Sequence, residues 1–178
     1  MWEFNLVVTL GAEGKFGRLM HDLETHGEFH PTSFFGVILG RVADPEGFLR
    51  SVLEGRQEGV AFSDLGRAVP VARVFTFTPE DFLARVRRAL ESYLPRLAGR
   101  HFYVRLERRG LKGEIVSPEA ERSLDTHILE ELGRQGRQAE VDFEGAEAVV
   151  VVETIGDRCG VGLLTRQQME RYDFVRVG

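Results

Sequence analysis

His101-Phe102-Tyr103-Val104-Arg105-Leu106-Glu107-Arg108-Arg109-Gly110-Leu111-Lys112-Gly113 is the stretch on which the reading of this chain turns. Phe102, Val104 and Leu106 alternate with Tyr103, Arg105 and Glu107, the period of a strand with one apolar and one polar face. The strand runs straight into Arg108, Arg109 and Gly110, with Lys112 and Gly113 just beyond. A strand end therefore delivers a cluster of cations onto a glycine-rich backbone that a ligand can approach closely. That combination suits a phosphate-rich partner better than bond-breaking chemistry.

Upstream, Thr78-Pro79-Glu80-Asp81 reads as a helix start, with Phe82, Val86, Leu90, Tyr93 and Leu94 as the buried stripe. Arg85 and Arg88 fall together on another face, and Pro95 ends or kinks the helix. Downstream, Ser117-Pro118-Glu119 opens a helix carrying Ala120, Leu124, Ile128 and Leu132. After a polar linker, Ala148–Val152 reads as a buried strand and Gly160–Leu164 as its antiparallel neighbour across a turn at 156–158. A short helix over 165–172 and a last strand over 173–177 complete this half.

The first 78 residues predict a strand at 4–10, a helix through Phe16, Leu19, Met20 and Leu23, and a strand at 33–42. A helix opened by Asp44-Pro45-Glu46 follows, then an unassigned polar stretch at 56–68 and one strand over 69–77. This is a small α/β unit of ferredoxin-like type, with its strand order left open.

The 178 residues, 43 % apolar and 29 % charged, describe an ordinary folded protein. No apolar run approaches the roughly 18 residues of a membrane span, and no signal peptide is legible at the N-terminus, so cytoplasm is the expected compartment. The net charge of −5 argues against a polyanion as partner, but the charge is uneven. Residues 85–112 carry nine Lys and Arg against Glu91 and Glu107, a local +7, and local field decides where a polyanion lands. Cys159 alone excludes an internal disulfide or a multi-cysteine zinc site, and reads as an incidental small residue. His21, His26 and His30 with Glu24 and Glu28 straddle a helix end without the spacing of a metal motif. No metal and no cofactor is expected.

The segment Phe102–Gly110, followed by Ser117-x-x-Ala120-Glu121, Ala148–Thr154 and Gly160-Val161-Gly162, resembles the THUMP domain of tRNA-modifying proteins. Glu144-Gly145-Ala146-Glu147 departs from that family's frequent Pro-Asp before the buried strand, which bears on the loop there. The resemblance implies an α/β (α+β) fold with two parts, an N-terminal ferredoxin-like domain over 1–78 and a THUMP-like RNA-binding domain over 79–178. It further implies binding of RNA, above all of a tRNA acceptor end. It is nearest to the stand-alone members that serve as adaptors, such as that of tRNA cytidine acetylation, with a separate acetyltransferase-like enzyme as partner.

The residues expected to carry RNA binding are Arg85, Arg88, Arg100, Tyr103, Arg105, Arg108, Arg109 and Lys112. The arginines and lysine would meet phosphates and Tyr103 would stack on an unpaired base. Asp142, Glu144, Glu147 and Glu153 have no base or metal beside them in sequence, and no nucleophile or nucleotide-binding motif is present, so the chain is expected not to be an enzyme. The alternative reading is a protein–protein interaction module that binds no RNA.

Overall fold

The structure, a computed structural model, describes residues 2–178. It divides into two compact units. One takes the chain up to Val71 together with Gln168–Arg176, and the other takes Ala72–Gln167 with Val177–Gly178.

In the first unit, β1 (Leu6–Leu10), α1 (Phe16–Leu23), β2 (Glu28–Pro31), β3 (Val37–Arg41), α2 (Pro45–Glu58) and β4 (Leu65–Pro70) follow one another. The sheet order is β2-β3-β1-β4, antiparallel throughout, the β-α-β-β-α-β order of a ferredoxin-like arrangement. The single strand expected at 33–42 is instead the second arm of a hairpin whose first arm is β2. Exposed Glu28, His30 and Pro31 hide that arm in the sequence because an edge strand has little to bury. α2 opens on Asp44 with Pro45 in its first turn and closes on Gly59 at φ +70°, the left-handed position that glycine fills without steric cost. Tyr172, Phe174 and Val175 are buried, and Phe174 C=O accepts the Ala68 N–H at 3.0 Å, so the segment 168–176 runs against β4 without forming a strand of its own. The strand expected over 173–177 is therefore absent.

The strand expected over 69–77 is in fact two. β4 ends at Pro70, and Val71 N–H still bonds Asn5 of the first unit, while Ala72 N–H bonds Val161 of the second. The chain changes sheets between those two residues. β5 (Arg73–Thr76) then opens the second unit, followed by α3 (Phe82–Leu90), a 3₁₀ turn at Glu91–Tyr93, α4 (Leu94–Leu97) and β6 (His101–Glu107). α5 (Ser117–Arg134), β7 (Glu140–Val141), β8 (Ala148–Ile155), β9 (Arg158–Thr165) and α6 (Arg166–Arg171) complete the order. The sheet runs β5-β9-β8-β6-β7, with β6 parallel to both its neighbours and the β8–β9 hairpin antiparallel.

One face of this sheet is covered by the helices. Phe82, Val86, Leu90, Leu97, Leu124, Ile128 and Leu132 pack on Phe102, Val104, Leu106, Val150, Val152 and Val161, and each fully buried side chain of this kind contributes ~1.5–3 kcal/mol. Cys159 lies inside the same core, where burial pushes its thiol well above the ordinary range. Among the described residues no helix is long and apolar enough to cross a membrane.

Candidate nucleic-acid interface

β7 pairs only with His101 and Phe102, so beyond that point β6 is an edge strand. Its outward N–H groups are met by side chains of α5. Asp125 Oδ1 accepts the Val104 N–H at 3.0 Å and Glu121 Oε2 the Leu106 N–H at 3.4 Å. These carboxylates stand four residues apart on one helix face and do for β6 what a neighbouring strand would do. Burial raises the Asp125 carboxyl to about 6, against the lowering effect of the Val104 N–H, and raises that of Glu121 as well.

The eight residues singled out in the sequence fall into four neighbourhoods of the second unit. Arg85 and Arg88 stand on α3 over a groove of about 730 Å3, opposite Arg73 of β5. Arg85 Nε bonds Asp81 Oδ2 at 2.7 Å, and Arg88 is exposed with no ion pair among the described residues. Arg100 lines a second groove of about 600 Å3 with Arg96 and Arg166, and pairs with Glu147 at 3.2 Å. The two grooves follow one another along the segment from α3 to α4, since residues 84–92 line the first and 95–100 the second.

Tyr103 and Arg105 occupy a third place, beside α5. Arg105 lies over the Tyr103 ring at 5.5 Å and reaches Glu121 at 3.7 Å, and the Tyr103 ring packs at a tilt against Phe143, 5.3 Å between centroids. The fourth place is the turn after β6. Arg109 is 14 % exposed, its Nη1 2.5 Å from Oε2 of the wholly buried Glu153, and its N–H bonds Thr154 Oγ1 at 3.0 Å. Arg108 bonds the carbonyl of Gly110, and Lys112 is exposed. Gly110 and Gly113 both take positive φ (+87° and +85°), a conformation that glycine adopts without steric cost.

The single cationic surface expected around the strand end is thus divided, and the longest run of arginine lies along α3 and α4. Arg73, Arg96 and Arg166 were not among the residues singled out. Arg96 lies within the basic segment and was legible there. Arg166 is brought in by the β8–β9 register, which pairs Ala148 with Thr165 and sets Arg166 N–H on Glu147 C=O at 3.0 Å. Nothing local in the sequence signals that.

The histidines weighed for a metal go elsewhere. His21 pairs with Glu24, His30 with Glu28, and His26 packs edge-on against Phe48 and at a tilt against Phe62. Among the described residues no group of three or more His, Cys, Asp or Glu is placed to hold a metal ion. His101 stands between Asp142 (2.9 Å) and Glu140 (3.3 Å), and the Asp142 hydrogen bond raises its pKa.

Residues 78–164 match the family model of the THUMP domain, so a THUMP domain forms the C-terminal part of this two-sheet protein. THUMP domains suggest RNA binding. Among curated proteins none matches the chain. Among solved structures it is similar to TrmN from Thermus thermophilus, at 20 % identity and a TM-score of 0.63 over 89 % of this chain and 44 % of that one. It is also similar to a 4-thiouridine synthetase in complex with RNA and ATP, at 15 % identity and a TM-score of 0.54 over 91 % and 41 %. A third is a predicted N6-adenine-specific DNA methylase from Listeria monocytogenes, at 18 % identity and a TM-score of 0.56 over 90 % and 40 %. At these identities the likeness shows a shared fold, and the chain spans less than half the length of each of the three.

These likenesses correct the expectation of a non-enzyme. That expectation rested on finding no catalytic motif in 178 residues, yet the same fold stands inside proteins named as a synthetase and a methylase. A missing motif in this stretch therefore does not count against an enzyme.

Proposed function

We propose that this protein works in the cytoplasm by binding tRNA at its acceptor end through the THUMP-containing part, residues 79–178, with 1–78 as a second working part. The bound end is presented to a tRNA-modifying catalytic centre. That centre sits on a further domain or on a separate acetyltransferase-like partner for which the chain is the adaptor. The observation that carries the reading is the pair of arginine-lined grooves along α3 and α4, Arg73, Arg85 and Arg88 followed by Arg96, Arg100 and Arg166, inside a THUMP domain. Acids share the grooves, but the cations are in excess, and cations that displace the counterions condensed on a phosphate backbone gain free energy without base reading.

The test is retention of total tRNA, intact or trimmed of its 3′ terminal bases, over a salt series from about 50 to 200 mM. The expected result is affinity that falls steeply with salt and weakens on trimming. Arg88→Gln and Arg96→Gln should each weaken binding to every tRNA alike and flatten the salt dependence by about one unit of slope. Binding that ignores salt and these substitutions would overturn the reading, in favour of a surface for protein partners.

A further inference from the structure

His101, the first residue of β6, has three carboxylates around it. Its Nδ1 is 2.9 Å from Asp142 Oδ2 and its Nε2 is 3.3 Å from Glu140 Oε2, both on the segment that runs through β7 into the next loop. Ahead of β8, Glu147 Oε1 accepts the His101 N–H at 3.2 Å. The other Glu147 oxygen pairs with Arg100 at 3.2 Å, with Arg166 of α6 also acting on it. The arginines of this cluster thus face Glu147, and His101 is the side chain that pairs both Glu140 and Asp142.

The segment that carries Glu140 and Asp142 is held at its two ends by different chemistry. β7 is two residues long, and the backbone there meets β6 through the Glu140 N–H on Arg100 C=O (3.0 Å) and the Asp142 N–H on Phe102 C=O (2.9 Å). Asp142 Oδ1 then accepts the N–H groups of Glu144 (3.0 Å) and Gly145 (2.8 Å), which folds the loop back on itself. A Cβ on Gly145 would come within 2.5 Å of Asp142 Oδ2, so the closed loop has room only for glycine there. At the far end Arg166 donates to the carbonyls of Ala146 (3.1 Å) and Gly145, bonds that no ordinary change of pH removes. The near end depends on one imidazole. Between the two ends stands Phe143, 65 % exposed, with its ring tilted against Tyr103.

An imidazolium carries two N–H donors and serves both carboxylates, whereas neutral imidazole has one donor and one lone pair. Once the proton leaves, either Glu140 or Asp142 faces that lone pair, and the positive charge between two anions is gone. We propose that His101 is a proton-operated latch, which as imidazolium straps β7 and the loop 142–145 onto β6 and as neutral imidazole lets them loosen about the Arg166 anchor. Loosening uncovers the outer edge of β6 at His101 and Phe102, the two residues that β7 pairs, and frees Phe143 from Tyr103. The hydrogen bond to Asp142 outweighs the desolvation of the ring and, with the charges of Glu140, Asp142 and Glu147, raises the His101 pKa above the ordinary value of about 6.5. Asp142 stays ionised through this range, its own pKa lowered by the Gly145 N–H and by His101. A raised folded pKa means that the strap is fully held below the unfolded value and is lost as pH rises through the folded one, so release comes on the alkaline side.

The test follows the full chain by NMR from about pH 5.5 to 9, reading the His101 ring nitrogens and the amides of residues 140, 144 and 145. As His101 loses its proton, amide exchange at these positions, corrected for its intrinsic pH dependence, should rise about tenfold, while Val150 within β8 stays protected. His101→Gln offers one donor group at every pH, so its loop should exchange at the alkaline wild-type rate throughout, with no step. Glu140→Gln brings an amide that donates to the lone pair of neutral imidazole and a carbonyl that accepts from imidazolium. Its loop should stay protected across the range, and His101 should titrate lower than in the wild type. The two side chains are 43 % and 70 % exposed, so the fold tolerates both substitutions. Loop amides that ignore the titration of His101, or a step that survives in either variant, would overturn the latch. A wild-type loop that exchanges at one rate throughout, with His101→Gln merely faster, would make His101 a static brace and overturn it too. The latch acts on the loop with or without RNA, so its failure leaves the proposed function standing.

Discussion

Arg109 was singled out as a cation for phosphate, and its surroundings give its guanidinium another task. It lies against Glu153, which is fully buried, and its own N–H is fixed by Thr154. Removing Arg109 takes a charge-assisted hydrogen bond from buried Glu153, so Arg109→Ala should cost about 1.5–3 kcal/mol in urea unfolding. Lys112→Ala, on the exposed part of the same turn, should stay within about 0.5 kcal/mol. Asp125 gives a pH-dependent expectation. Its folded pKa, about 6, lies above the ordinary carboxylate value, so the folded state binds the proton more tightly and Asp125 costs stability as pH rises through that range. Asp125→Asn should therefore be more stable than wild type by about 1–2 kcal/mol at pH 7.5, with the gap closing by about pH 4. Asp64 has the opposite sign. Bonds from Arg18 (2.6 and 2.8 Å) and from the Lys15 N–H (2.9 Å) lower its carboxyl to about 2. Its stabilising contribution is complete above the unfolded value near 4 and is lost as pH falls toward 2. Asp64→Asn should weaken the first unit at neutral pH and differ little from wild type near pH 2, as read by thermal melting across the range.

Elements were legible wherever a face is buried. The stripe Phe82, Val86, Leu90 on α3, the alternation of β6 and the apolar run of β8 are each patterns that burial imposes on sequence, and each element stands where its pattern puts it. The break at Pro95 is also there, as the 3₁₀ turn leading into α4. β2 and β7 escaped notice because an edge strand of two to four residues carries no such pattern. The start of α5 differs in detail from the opening that Ser117-Pro118-Glu119 suggested. Ser117 is the first residue of the helix and makes no capping bond, while the helix earns its place by its buried face and by bonding the β6 edge. Asp125 and Glu121 were not singled out as site residues, since two acids at that spacing on a helix read as a solvated face. Only the shortness of β7 turns them inward.

At the scale of the molecule, the segment 168–176 joins the first unit although it follows the last strand of the second. Tyr172 Oη donates to Glu46 at 2.9 Å, and Arg56 lies over Phe174 at 5.4 Å. Phe174→Ala should remove about 3–5 kcal/mol from the first unit, seen as faster hydrogen exchange at β4 amides. The sequence by itself determined the elements that bury a face, the α/β class, the THUMP-like half and the basic character of residues 85–112, because periodicity and charge are local properties of a chain. Tertiary structure alone decided which of those charges are paired inside the fold and which stay exposed. It also decided that one apparent strand at 69–77 serves two sheets, and that Arg166, Phe143 and Asp125 meet partners far away in sequence. Pairing and register are properties of the closed sheet, and no window of sequence contains them.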